Sequence, residues 1–482
     1  MPNKEIPKQV RDDRGMDFRM NIKSCISVVM IFLLLGCTSY PAARKEASPP
    51  PSKEMGRAFV REALQHYQFV KDPDVVNLVN SVGRRIVSKV GANPDSYHFF
   101  VVRENQPNAF AIPGGYIFIF DGLLLQLRDE GELAGVLAHE IAHVERSHFF
   151  KDDKKIAALD IATIAAILLS GGNPAALTLA GAANLDIRLQ FSRDNEAEAD
   201  SYAMRYLEKG GYSSEGLLNF FDSLIRYERF NPQTVPAYAS THPGLEERRD
   251  RVANFLRKTS DTPDTGTGTG ITRNWQRMQA TLLSRNITLK DESTLLQAMR
   301  IEKMPEEKRE EALNYLLGLA YMKAGRFSDA IPRYLTAIGL NENNHLYYAD
   351  IAFCYLKQQD IDKSREAAIK SILLSRDYAP AHVIMGIIEL DSDNLTKAIS
   401  HLDDALKIDE ANSMANFYLA MAYRKSSDAG KEAFYSARYF KLNLDPERAL
   451  KELNRAKDLV TIDTPMHFRI LQEIEEIKRE GL

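Results

Sequence analysis

Two histidines four residues apart with a glutamate beside the first, His139-Glu140-Ile141-Ala142-His143, form the clearest chemical pattern in the chain. On a helix the two imidazoles project about 40° apart, one turn along the same face, so both can grip one ion. Zinc accepts nitrogen ligands in a tetrahedral set, and a hydrolytic site uses three protein ligands and keeps the fourth position for water. Glu140 stands where a carboxylate can take the proton from that water. The pattern is short enough to arise by chance, so a third ligand decides its meaning. Ser192-Arg193-Asp194-Asn195-Glu196-Ala197-Glu198-Ala199-Asp200 supplies one, opening a helix with Ser192 as N-cap and Gly210-Gly211 as its stop. Glu196 and Asp200 share a face of that helix. Glu196 is expected to complete the metal set of His139, His143 and Glu196, while Asp200 accepts the free ring N–H of a metal-binding histidine. The implied cofactor is one zinc ion, with Glu140 as the catalytic base.

These side chains need a framework. Asp129 with Glu132 reads as a capping pair, and Leu133, Val136, Leu137 and Ile141 give a buried stripe to a helix expected over 130–149. An amphipathic helix is expected over 75–90, and β-rich runs over 97–102 and 116–120, the second entered through Pro113-Gly114-Gly115. His148, five residues after His143, falls on another face of a continuing helix and reads as a structural hydrogen-bonder. Two Ala/Ile/Leu-rich runs, 155–169 and 175–187, are too short for a comfortable bilayer span and read as a hairpin over the cleft. Residues 54–257 therefore read as one metallopeptidase-like α+β domain, and 258–273, rich in Asp, Thr and Gly, as a flexible linker. Beyond a helical cap or degenerate repeat at 274–311, Gly318, Ala352, Gly386 and Ala420 recur every 34 residues. Ala330, Ser364 and Ala398 follow the same period. Small residues at this spacing resemble the tetratricopeptide repeat, a stacked helix pair, expected over 312–450 with C-terminal helices over 451–482. Cys354 falls in its core. The fold class is thus mostly α with a small β-sheet, a metallopeptidase domain followed by an α-solenoid.

Arg19 and Lys23 precede an apolar run at 25–35 that ends in Gly36-Cys37. This resembles a lipoprotein signal peptide, 1–36, with Cys37 as the lipidated residue and 37–53, containing Pro49-Pro50-Pro51, as a tether. Thr38 in place of an aspartate implies sorting to the outer membrane, with the protein held by its lipid anchor on the periplasmic side. A net charge of −4 gives no footing for nucleic acid, and three cysteines cannot form a disulfide framework.

Asn108-Ala109-Phe110-Ala111-Ile112-Pro113-Gly114-Gly115, the His139–His143 helix, the Ser192–Asp200 run, and Ser240-Thr241-His242-Pro243 ending at Arg248 follow one another as in the HtpX- and Oma-type gluzincin metallopeptidases. With repeats behind, residues 54–450 resemble the BepA-like periplasmic members, which depart from this chain in lacking the lipobox. The resemblance implies an endopeptidase acting on unfolded or misassembled outer-membrane and other envelope proteins, its repeats recruiting substrates or the outer-membrane assembly machinery. It implies that Tyr116, Ile117, Phe118, Ile119 and Phe120 form the edge strand on which substrate lies. It also implies that His242 is a latency switch or transition-state donor, and that Arg248 steadies its loop or polarises the substrate carbonyl. The alternative is an assembly chaperone or scaffold with a latent or structural zinc site; an intact Glu140 favours the enzyme.

Overall fold

The apolar stripe at Val75, Leu78, Val79, Val82 and Ile86 forms the buried face of α2 (Pro73–Val90), which follows α1 (Pro51–His66). Asp72 caps α2 by accepting from the Asp74 amide, and Gly91 ends it at φ 86°. The computed structural model describes residues 51–151, 161–169, 192–230, 237–259, 272–286 and 305–480. The expected signal peptide and Cys37, most of the expected hairpin (152–160 and 170–191) and linker residues 260–271 lie outside the described residues.

Three short strands follow: β1 (His98–Val102), β2 (Ala109–Ile112) and β3 (Tyr116–Phe120), in the order β1-β3-β2. β3 runs parallel to β1, with His98 opposite Tyr116, and antiparallel to β2, with Ile112 opposite Tyr116. Residues 116–120 are therefore the central strand, paired on both sides, and not the edge strand expected from the sequence. The physical reason is the Gly114-Gly115 turn, which folds β2 back on β3 and uses the hydrogen-bonding edge a substrate would need. Gly115 has φ 92°, and a Cβ there would lie 2.1 Å from the Ser96 carbonyl oxygen, so this turn requires glycine. Side chains alternate across the sheet. Phe100, Phe110, Phe118 and Phe120 pack with α1 and with α6 (Ile161–Leu169), whereas Phe99, Val101, Ile117 and Ile119 join the main core.

After α3 (Asp121–Gln126), α4 (Glu130–Glu145) carries the two histidines. Its N-cap forms as expected, Asp129 accepting from the Glu132 amide, while Glu132 reaches back to accept from the Arg128 amide. It ends four residues earlier than expected, at Arg146-Ser147, with Ser147 at φ 55°, and the chain turns into α5 (His148–Lys151). Buried on nearly every face, α4 packs against α7 (Arg193–Gly210) and α8 (Glu215–Phe230). Ser192 caps α7 by accepting from the Asn195 amide, and Gly211 stops it at φ 73°. The unit closes with α9 (Ala237–Thr241) and α10 (Leu245–Thr259).

α11 (Arg273–Asn286) belongs to two cores at once. Trp275, Met278 and Leu282 are buried with the α2 stripe, while Ala280 packs with the repeats. Arg277 bridges Asp74 at 2.9 Å and Asp350 at 2.7 Å, and Lys323 reaches Asp74 at 2.7 Å. The repeats are thereby held against the first domain by buried and partly buried charge pairs as well as by packing. They run as α12 (Glu306–Lys323) with α13 (Phe327–Leu340), α14 (His345–Lys357) with α15 (Ile361–Leu374), α16 (Ala379–Asp391) with α17 (Leu395–Ile408), and α18 (Ser413–Lys425) with α19 (Ala429–Leu442). A further pair follows, α20 (Pro446–Leu459) and α21 (Pro465–Glu480). The small positions are contact points: a Cβ on Gly318 would sit 3.1 Å from the Tyr334 ring, and one on Gly386 would sit 2.6 Å from Leu402. Gly325, Gln359, Asp393 and Ser427 all have φ between 63° and 76°, one at each turn between paired helices, at the same 34-residue spacing. Lys71 donates to the Asn443 carbonyl at 2.6 Å, a second tie between the first domain and the fourth pair. Among the described residues no helix is long and apolar enough to cross a membrane.

Candidate metal centre

Packing α4 against α7 brings His139, His143 and Glu196 together. His139 Nε2 and His143 Nε2 are 2.9 Å apart, and the Glu196 carboxylate oxygens lie 3.5 Å and 3.3 Å from them. The turn between α9 and α10 adds His242, whose Nδ1 is 3.0 Å from Glu196 Oε1. One donor atom from each of these four buried residues lies within 4.8 Å of all the others. A tetrahedral ion with bonds of about 2.0–2.1 Å holds its donors roughly 3.3 Å apart. Two imidazoles and a carboxylate at these separations therefore fit zinc in donor type and in spacing.

Glu140 is fully buried beside the cluster, its Oε1 3.7 Å from His242 Nε2, and neither carboxylate oxygen has a hydrogen-bond partner among the described residues. Burial pushes its pKa up, opposed by the positive field of His242. A carboxylate so placed is a stronger base than one in water. Burial also drives His143 well below its ordinary value, which keeps the ring neutral. His139 is pulled down by burial and by Arg248, but hydrogen bonds to Asp200 and Glu196 outweigh both, and its pKa is pushed up to about 9. An ion binding there must displace a proton.

Asp200 Oδ1 lies 3.1 Å from His139 Nδ1. Arg248, expected to steady the His242 loop or polarise the substrate carbonyl, is 1% exposed and contacts the acids of the cluster. Its Nη1 is 2.6 Å from Glu196 Oε2, its Nη2 donates to Asp200 Oδ1 at 2.8 Å, and its guanidinium lies over the Phe221 ring. Burial opposes charge on both acids, yet the Arg248 cation holds Asp200 below and Glu196 well below the usual carboxylate range. Arg251 adds a second cation to Asp200 at 3.1 Å.

Tyr238 escaped the sequence reading, and His148, read there as a structural hydrogen-bonder on another face, has a partner that reading did not name. Tyr238 stacks on the His242 ring at 4.4 Å and donates its backbone N–H to the Pro107 carbonyl, which ties α9 to the start of β2. His148 meets His143 directly, with Nδ1 to Nδ1 at 3.0 Å, because α4 stops before a continuing helix could carry it away. No glycine marks that stop; Ser147 takes the left-handed conformation instead. A groove of about 260 Å³ borders His143, lined by Tyr97, Ile112, Pro113, Gly114 and Glu145. The strand beside it is β2, which among the described residues is paired only on its β3 side.

Residues 75–255 match peptidase family M48, and residues 315–381 match the tetratricopeptide repeat. The beta-barrel assembly-enhancing protease of Escherichia coli K12 is 30% identical over 203 residues, 40% of this chain and 42% of that one. A Vibrio cholerae relative is 27% identical over 300 residues, 61% of each chain. The mitochondrial metalloendopeptidase OMA1 of Schizosaccharomyces pombe is 30% identical over 194 residues, 38% of this chain and 55% of that one. The aligned parts span about two-fifths to three-fifths of the length of these curated relatives.

Proposed function

We propose that this chain, a family M48 peptidase domain followed by tetratricopeptide repeats, is a zinc-dependent endopeptidase of the bacterial envelope. The observation that carries this reading is the convergence of His139, His143 and Glu196 from two helices, with the buried Glu140 beside them. The three residues would hold the metal, and Asp200 fixes the His139 ring through its Nδ1. When bound, zinc supplies Lewis acidity that polarises a peptide carbonyl and makes water nucleophilic at neutral pH. Glu140 takes the proton from the attacking water and delivers it to the leaving amine. Burial of the whole cluster excludes bulk water and strengthens each of these interactions. The test is cleavage of unfolded casein by the purified chain. Chelation is expected to abolish it and added zinc to restore it, whereas cleavage indifferent to chelation would sink the reading.

The outer strand β2 can pair with an extended backbone beside His143, which binds unfolded chains with little sequence preference. The substrates proposed are unfolded or misassembled outer-membrane and other envelope proteins, brought by the repeats directly or through the assembly machinery. Cys37 anchors the protein by lipid on the periplasmic side of the outer membrane. Metabolic labelling with a palmitate analogue tests the anchor, which label retained in Cys37→Ser would refute.

A second reading, a scaffold with a latent zinc site, draws on His242. Four closed protein ligands mark a structural zinc, and His242 stands close enough to be the fourth. A switch reconciles the two: His242 plugs the site until its loop moves. His242→Ala should then raise casein cleavage and self-cleavage. Lost activity with zinc retained would instead make His242 a transition-state donor.

A further inference from the structure

We infer that His148 is a positioning residue for His143, holding the second metal-binding ring by a relay that ends on Arg146. The inference rests on the ligand assignment above. His143 directs Nε2 toward His139 and Nδ1 toward His148 Nδ1, 3.0 Å away. His148 Nε2 lies 3.0 Å from Glu198 Oε2, and Arg146 Nε donates to Glu198 Oε1 at 2.6 Å. An ionised carboxylate only accepts, so a neutral His148 carries its proton on Nε2 and donates it to Glu198. Its Nδ1 then offers a lone pair, which accepts the Nδ1–H of His143. That leaves the lone pair of His143 on Nε2, aimed at the metal cluster. The relay therefore selects the one neutral tautomer of His143 that can bind an ion through Nε2.

The local fold builds this contact. A helix continuing past Glu145 would turn His148 about 140° away from His143. With Arg146 as C-cap and Ser147 at φ 55°, the chain reverses, and the His148 ring arrives fully buried, 4.9 Å from His143 and nearly perpendicular to it. Arg146 also lies over the Tyr202 ring at 4.7 Å, so the relay is fastened to α7, the helix that carries Glu196. The two histidines thus receive different supports: a carboxylate, Asp200, behind His139, and an imidazole backed by Glu198 behind His143.

Partners of this kind typically contribute 10- to 100-fold to metal affinity. The test is the zinc affinity of the purified full-length chain, measured by chelator competition. The cobalt-substituted absorption spectrum and the melting temperature of the zinc-free chain are read alongside. His148→Gln moves the amide beyond the δ position and is expected to weaken zinc binding about 10- to 100-fold and alter the cobalt spectrum. His148→Asn places its Oδ1 where Nδ1 stood and is expected to restore most of the affinity. Parent-like affinity in His148→Gln, or equal weakening in both variants, overturns the inference. If either variant fails to fold, Glu198→Ala decides: weakened zinc binding supports the relay and unchanged binding overturns it. A parent chain that binds no zinc overturns the ligand assignment itself, and this inference with it.

Discussion

Glu140→Gln is expected to lower casein cleavage by about 100- to 10,000-fold while leaving bound zinc unchanged, the range for removal of a positioned general base. Glutamine keeps the shape of the side chain but has no basic carboxylate to accept the proton of the attacking water. The site makes this loss hard to bypass. Glu140 is fully buried, and the neighbouring carboxylates are engaged: Glu196 by Arg248, His143 and His139, and Asp200 by Arg248, Arg251 and His139. Burial raises the Glu140 pKa and with it the basicity that glutamine removes. Steady-state cleavage and metal analysis on the same preparation check the outcome. Parent-like cleavage would remove Glu140 from the mechanism, and lost zinc would recast it as a support of the metal site.

What could be read from the sequence was local in origin. The His139/His143 spacing, the caps at Asp129 and Ser192 and the stop at Gly211 each depend on residues within one turn, and all three terminal devices form. The 34-residue recurrence was legible for a related reason. Gly318 and Gly386 lie where the two helices of a pair touch, against Tyr334 and Leu402. Strand order was not legible, because an apolar run such as Tyr-Ile-Phe-Ile-Phe records burial on both faces but not which neighbours flank it. Placing 116–120 at the edge failed on that point. The end of α4 was missed because the left-handed residue just past its C-cap is a serine, and with it the meeting of His148 and His143. α11 shows the same limit between domains. Trp275 announces burial, but nothing near it in sequence says that its core is that of the first domain while Ala280 faces the repeats. A cut placed at 273 on composition would strip that core of Trp275, Met278 and Leu282.

Arg248 is buried against Glu196 and Asp200, and its replacement should have a large effect on stability. Arg248→Met removes the cation shared by Glu196 and Asp200 and leaves two buried acids short of counter-charge, a loss of about 3–5 kcal/mol by analogy with broken buried pairs. The deficit should be measured on the zinc-free chain by denaturant unfolding. Its pH dependence has a definite sign. In the parent both acids titrate below their ordinary values, so their contribution is complete above about pH 4 and is lost only as pH falls through the depressed values. In the variant burial is opposed at Asp200 by Arg251 and His139 and at Glu196 by His139, His143 and His242, the acid pKa values rise, and protonation relieves the strain. The gap between parent and variant should therefore be widest near neutrality and narrow in acid. Zinc should narrow it as well, since a dication bound at Glu196 restores positive charge where the guanidinium was and stabilises the folded chain by mass action. If Arg248 instead acts on the substrate carbonyl, Arg248→Met would keep the parent's stability and zinc dependence and lose turnover alone. A guanidinium 1% exposed and already bonded to Glu196 and Asp200 argues for the first outcome.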